Sequence, residues 1–314
     1  MAFTTIGDNK AAQRVEDQIF RSGRDLRGSG FHALMFTALA ISVLFLGVLL
    51  VQVTVDGWPT LSTRLGDFLT GTLRSRSSDD QLGISQGLRG TAWIAAFVTF
   101  LSFPIGIFAA IYLEEYAPRN WLTSTIDIAI RNLAGVPSVV YGLLGLFLFV
   151  KTANNGQSSM FAGGLILAIL VLPIVVITAA EAIRAVPSSL KQGAYGVGAT
   201  KWDVIRTQVL PFAAPGILTG TLLSLSRAVG EAAPLILVGA ITGRLAPRDS
   251  GLIDQLGERF TAMPIIIVGW VRNSGVDAGL APAAGAAIVV LLVVVIAMNS
   301  VAVLLRSYFE KKRG

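Results

Sequence analysis

Six apolar stretches, separated by polar segments, run along the chain at about 33–55, 90–113, 132–150, 161–180, 212–241 and 281–305. Each is close to the roughly 20 residues that an α-helix needs to cross the hydrocarbon core of a bilayer. Backbone N–H and C=O groups in lipid must be satisfied within the segment, so the stretches are expected to be helices. None shows the ten-residue alternation of a barrel strand. The pattern predicts an all-α membrane protein with six transmembrane helices. Pro104 is expected to bend the second helix, and Pro173 lies inside the fourth.

The fifth stretch is unusual because it carries Arg227 and Glu231 mid-way along its length. A charge at the bilayer centre costs roughly 2.5–3.5 kcal/mol on insertion scales. On one helix, residues four apart share a face, and that face is expected to meet protein or water. Two readings stand. The pair lines a solute path, or it is a structural ion pair that locks neighbouring helices.

Composition agrees with a membrane protein. The chain is 53% hydrophobic and 14% charged, against about 25% charge in soluble domains, and its mean hydropathy is +0.68. It has no cysteine, which excludes disulfide and thiolate chemistry. The one histidine, His32, sits at the edge of the first apolar run, where an interfacial role is expected, and cannot build a His-based zinc site. The net charge of +6 forms no basic stripe with interleaved aromatics, so no nucleic-acid partner is expected. The start lacks the pattern of a cleaved signal, and the first run reads as a retained span. Residues 1–32 read as a polar tail, with a short amphipathic helix around 11–20, ahead of one six-helix transmembrane domain over 33–314.

Six spans place both termini on one side. With the N-terminus inside, fifteen Lys and Arg residues fall on inner segments and nine on outer ones, so the basic-residue bias favours cytoplasmic termini. Two long loops, 56–89 and 243–277, then lie outside. The second contains LIDQLGERF and MPIIIVGWV, expected as short helices on the outer surface that either cap the protein or dock an external partner. A third long loop, 181–211, lies inside. There Pro187, Ser188 and Ser189 give a helix-start signal, and 191–195 fits a short helix. Gly196 and Gly198 permit a sharp turn. Thr200-Lys201-Trp202-Asp203 has the form of a capping box opening a second short helix to about Gln208, before Pro211. Tyr195 and Trp202 supply aromatic anchors of the kind found at interface centres. Loops this long are usually functional or disordered.

The stretch QGAYGVGATKWDVIRTQVLP resembles the EAA loop of ABC-importer permeases, a pattern of Glu-Ala-Ala, three residues, Gly, nine residues, Ile, one residue and Leu-Pro. Gly198 falls on its glycine and Leu210-Pro211 on its Leu-Pro. Ala194 keeps the second alanine, while Gln192, Gly193 and Gln208 depart from the pattern. AAIYLEEYAPRN (109–120), IRNLAGVPSVVYGLLGLFLF (130–149), LSLSRAVGEAAPLILVG (223–239) and MPIIIVGWVRN (263–273) together are similar to the PstA-type permease family of phosphate importers. The similarity covers about residue 90 to the C-terminus.

The resemblance implies the six-helix type I, MetI-like permease fold in a bacterial inner membrane. It implies a half-channel paired with a PstC-type permease, a dimer of PstB-type ATPases on the cytosolic face and a PstS-type phosphate-binding protein outside. The chain has no GxxxxGK[ST] sequence, so no cofactor is expected in it, and ATP and Mg belong to the ATPase. Gln192, Gly198, Ala199, Thr200, Lys201 and Trp202 then form the coupling element, with the short helix expected around Gly198–Trp202. Closure of the ATPase dimer is expected to move helices 3 to 5 as a body. Arg227 gains a sharper role, because guanidinium binds phosphate oxygens in a bidentate manner, with Glu231 holding Arg227, accepting a bond from a protonated phosphate oxygen or repelling the anion at exit.

Arg131, just before the third span, is either a positive-inside anchor or a phosphate contact near the cytosol. Pro137, Gly135 and Gly142 are expected to bend that segment and allow close packing, and Ser138 and Tyr141 offer hydroxyls to the path. Gly216 and Gly220 form a small-xxx-small pair, expected as a helix contact. Rival readings are a secondary transporter or channel without an ATPase, an ABC permease for another oxyanion or solute, and an intramembrane enzyme. The last has no GxSxG or HExxH to support it.

Overall fold

The computed structural model describes residues 26–74, 76–77, 82–152, 156–242 and 254–311. The amphipathic helix expected at 11–20 lies outside these residues. No strand occurs among the described residues. The long helices are α1 (Leu26–Thr70), α2 (Ser85–Tyr116), α5 (Met160–Arg184), α7 (Lys201–Gly230) and α10 (Leu280–Lys311). Each is long and apolar enough to span a membrane. Between them lie α3 (Trp121–Ala134), α4 (Ser138–Thr152), α6 (Ser188–Gly196), α8 (Ala233–Leu237) and α9 (Met263–Asn273).

The chain divides into two compact units, 1–52 and 53–314. The described part of the first is one continuous helix whose large apolar side chains, Phe36, Leu44 and Phe45 among them, are exposed. A helix apolar all round suits lipid.

In the second unit α5 is the central helix. Its Ile166, Leu167, Val171 and Val175 are buried with Ile94 and Val98 of α2, Leu225 and Val229 of α7, and Leu235 of α8. Towards its C-terminus, Val176, Ala179 and Ile183 form a second cluster with Ala110, Val204, Ile205 and Ala213. A third cluster joins Phe68, Ile84, Trp270 and the alanines Ala283, Ala286 and Ala287. Small residues set the helix spacing. A Cβ on Gly216 or Gly220 would fall 2.9 Å from Ala182 Cβ or 2.5 Å from Thr178 Cβ, so that pair is the helix contact its spacing predicted. A Cβ on Gly90 would lie 1.9 Å from the Thr261 carbonyl oxygen.

Several helix boundaries differ from the apolar runs. The helix α1 starts before residue 33 and continues past 55, because Gly57 lies against the backbone of Gly285 and Ala286, and Phe68 is fully buried. The expected outer loop is therefore largely helix, interrupted at Arg64 by a non-helical φ/ψ. The third stretch is not one straight span. It is the pair α3 and α4, bent by 97° where Gly135 and Pro137 interrupt the helix. The helix α9 does not lie loosely on the surface: one face is buried, while Val268 and Val271 remain exposed. Met263, Ile265, Ile266 and Trp270 are buried, and the Met263 N–H donates to Thr91 Oγ1 at 2.9 Å.

Prolines leave a specific mark. Pro104 and Pro211 each follow a π-helical turn, at Val98–Ser102 and Ile205–Val209. A proline removes one N–H and crowds the carbonyl four residues back, and the wider π turn relieves that crowding. The wide turn is how the structure absorbs Pro104.

Candidate functional site

The helix α7 stops at Gly230, and Glu231 is in extended conformation with φ −79° and ψ 118°. Continuing the helix would set Pro234 against the Gly230 carbonyl. Instead the chain turns, and Pro234 sits in the first turn of α8, where a missing N–H is tolerated. The apolar stretch 212–241 is thus not one span, and the charges lie at a helix break rather than mid-helix. They still meet: Arg227 Nε is 3.5 Å from Glu231 Oε1. The Arg227 side chain is 58% exposed and that of Glu231 19%. Arg227 also lies in the last turn of α7, where a cation complements the helix dipole. Next to it, Ser226 Oγ lies 2.6 Å from Asn299 Oδ1 and ties this turn to α10. Asn299, a lone amide in the last apolar run, was the signal for this contact.

Arg131 lies in a different setting. It occupies the last turn of α3, pairs with Asp127 at 3.0 Å and reaches Glu181 near the end of α5 at 4.0 Å. Leu225, Ala228 and Val229, on either side of Arg227, pack with the half of α5 around 166–175, whereas Arg131 reaches Glu181 near its end, so the structure does not bring the two arginines together. Tyr141 is buried and donates its hydroxyl to the Leu133 carbonyl at 2.9 Å, closing the α3–α4 corner. Ser138 is half-buried at the start of α4.

The loop after α5 is a hairpin. Its short helix is α6, not a segment around Gly198–Trp202. Gly198, at φ +87°, makes the turn, a conformation that glycine adopts without steric cost. Thr200 then caps α7 directly, with the expected capping box: the Asp203 N–H donates to Thr200 Oγ1 at 3.3 Å and the Thr200 N–H to Asp203 Oδ2 at 3.1 Å. No second short helix intervenes, because Lys201 runs without a break through the π turn into the long helix. Gln192 is exposed on α6, and Tyr195, Val197 and Trp202 present apolar surface at the tip, Val197 being 86% exposed. Ala199 is half-buried and packs on the cluster beneath.

Three consecutive residues that the spacing of motifs did not single out hold this hairpin. Glu114, Glu115 and Tyr116 lie in the final π turn of α2, Tyr112–Tyr116. Glu114 pairs with Arg184 at the end of α5, and Glu115 with Lys191 on α6. Lys201 Nζ sits 4.8 Å from the centre of the Tyr116 ring, a cation–π contact at the start of α7. On the sequence Arg184 and Lys191 counted only as inner-side positive charges, and Lys201 as part of the coupling element. A cavity of about 440 Å³ beside this region is lined by Glu114, Arg119, Asn120, Thr123, Asp127 and Arg184.

Residues 102–313 match the family described as binding-protein-dependent transport system inner membrane component. The chain is 34% identical over 309 residues to the phosphate transport system permease protein PstA 1 of Mycobacterium tuberculosis, covering 96% of each. It is 34% identical over 218 residues to the phosphate transport system permease protein PstC of Haemophilus influenzae, covering 62% of this chain and 68% of that one. Among solved structures, a chain of a bacterial alginate ABC transporter in complex with alginate pentasaccharide-bound periplasmic protein matches with a TM-score of 0.63. That match is 16% identical and covers 90% of this chain and 96% of that one.

Proposed function

This chain belongs to the family of binding-protein-dependent transport system inner membrane components, and we propose that it is the PstA-type half of an ATP-driven phosphate importer. The observation that carries the reading is the match to a PstA permease along almost the whole length of both chains, where matches to PstC permeases cover 62%, 67% and 74% of this one. The partner set follows: a PstC-type permease to complete the path, two PstB-type ATPases and a PstS-type binding protein. ATP and Mg are bound by the ATPase. The location is the bacterial plasma membrane, with both termini and the α6 hairpin in the cytosol. The apolar tip of Tyr195, Val197 and Trp202 on a rigid turn suits a groove in the ATPase surface.

Arg227 is the path residue this reading favours. Its guanidinium is largely uncovered at a helix break, where backbone leaves the regular helix only beside protein or a cavity. Paired with Glu231 it remains partly satisfied between transport cycles, which suits a site that must release its anion. Phosphate arriving on the exposed side would meet a fork of N–H donors already oriented by the carboxylate. Arg131, with both nearby carboxylates engaged, serves better as an anchor, and Ser138 and Tyr141 stand beside it at the α3–α4 corner.

The test is uptake of labelled phosphate by vesicles holding the four-protein importer, wild type against Arg227→Gln. One charged hydrogen bond contributes about 1.5–3 kcal/mol, so uptake by an assembled variant should fall about ten- to a hundredfold. Normal uptake would return the pair to a structural role. Wild-type vesicles that ignore phosphate and move another oxyanion would keep the architecture and replace the substrate.

A further inference from the structure

We propose that Glu115 and Tyr116 are positioning residues that lock the α6 hairpin to the end of α2, so that force applied at α6 moves α2 together with α7. The inference rests on the reading that α6 meets the ATPase. Three observations combine. Lys191, on α6, reaches Glu115, whose side chain is 8% exposed against 24% for the lysine. Lys201, on the far side of the Gly198 turn, covers the Tyr116 ring. Arg184, immediately before the hairpin, holds Glu114. The hairpin is therefore gripped at its entry, on its helix and at its exit by three successive residues of one turn.

The π geometry suits this grip. A π turn takes more residues per revolution than an α-helix, so three neighbouring side chains leave α2 in a tighter fan. An isolated surface ion pair would contribute little. This one is mostly covered, and removing either partner strands the other in a site shielded from water. Without the grip, the hairpin keeps only its chain connections to α5 and α7 and the apolar contacts of Val186, Ala194 and Ala199, and a displaced α6 can pivot at Gly198. With it, α2, α5 and α7 receive the same displacement.

The chain lacks cysteine, so cysteines introduced into it report its own positions in an importer whose partner proteins are also cysteine-free. In the complete importer, spin labels at Arg119→Cys and at Ser189→Cys, exposed on α6 and outside the apolar tip, read the separation between the α2–α3 corner and the hairpin. The expected result is a narrow distance distribution in the otherwise wild-type complex. Lys191→Glu or Glu115→Lys should broaden it, and the exchange of both charges should narrow it again. Phosphate uptake per ATP hydrolysed should fall on the order of tenfold in each single reversal and recover in the exchange, in line with coupling energies of contacting pairs. A distribution that stays narrow in both single reversals, or uptake per ATP that the exchange leaves depressed, would overturn the proposal. If the reversals prevent assembly, Lys191→Met and Glu115→Gln serve, judged by the same two readouts. The underlying reading fails separately. A cross-linker on Val197→Cys that never captures the ATPase in the functioning complex would remove α6 as the ATPase contact while the label distances still report the grip.

Discussion

The two ends of the α5–α7 pair are built differently. Around Arg227 the packing is apolar and close, with Leu225, Ala228 and Val229 against α5 and two charges at a helix break. Around the α6 hairpin the apolar layer is backed by pairs of opposite charge, Glu114–Arg184, Glu115–Lys191 and Arg131–Asp127. Both ends expose a guanidinium, but Arg227 meets its carboxylate at 3.5 Å at a helix break, whereas Arg184 and Lys191 hydrogen-bond theirs. On the reading proposed above, the first end would need a charge within reach of the solute and the second would need its charges already engaged.

The contrast can be broken most severely from the close-packed side. Gly90→Val would drive a side chain into the Thr261 carbonyl. Overpacking costs typically about 1–3 kcal/mol and more where backbone is the obstacle. Gly90→Val should therefore lower the melting temperature of the purified protein more than any hairpin substitution, or abolish recovery altogether. Tyr141→Phe removes the bond to Leu133 that closes the α3–α4 corner. A loss of about 1 kcal/mol is expected, seen as faster amide exchange confined to residues around 133–141. Thr200→Ala removes the cap of α7 at the hairpin, and about 1 kcal/mol is again expected. Its effect should appear as fraying of the first turn, with Thr200→Ser restoring protection.

The smallest effect lies away from both ends. Asp277 accepts from the Ser77 hydroxyl and from the Ser77 N–H at 2.7 Å. These bonds hold its carboxyl below the usual carboxylate range, with the hydroxyl contributing most. A carboxyl depressed in the folded state adds stability above its unfolded value, about pH 4, and that stability is lost as pH falls through the lower folded value. The melting temperature of Asp277→Asn should therefore trail wild type at pH 7, and the gap should close on acidification below about pH 4. An equal gap at all pH values would show that the hydrogen bonds act independently of charge.

How much of this was legible follows from what a linear pattern can encode. Apolar runs marked every long helix, because a helix suited to span a bilayer needs about 20 apolar residues in succession. The Thr200–Asp203 box was legible because both partners are three residues apart. The break after Gly230 was hidden because the residues on either side are equally apolar, although Gly230 and Pro234 carried the signal. The helix α9 read as a surface element because polar segments flank it, and only the fold shows it buried beside Thr91. The grip on the hairpin joins residues 70 and 76 positions apart. No spacing rule reaches that far, so Lys191 and Arg184 could be counted only as charges on one side of a membrane.

The π turns ahead of Pro104 and Pro211 bear on how such chains tolerate changes in length. Each holds one residue more than an α-helix would place in the same stretch. Dropping a single residue there lets the turn collapse towards α-helix and leaves the faces before and after it in phase. The same deletion in the middle of α5 would rotate everything beyond it by about 100° and turn its buried side outward. The wide turns are thus the places where the register of a membrane-spanning helix can absorb an insertion or deletion.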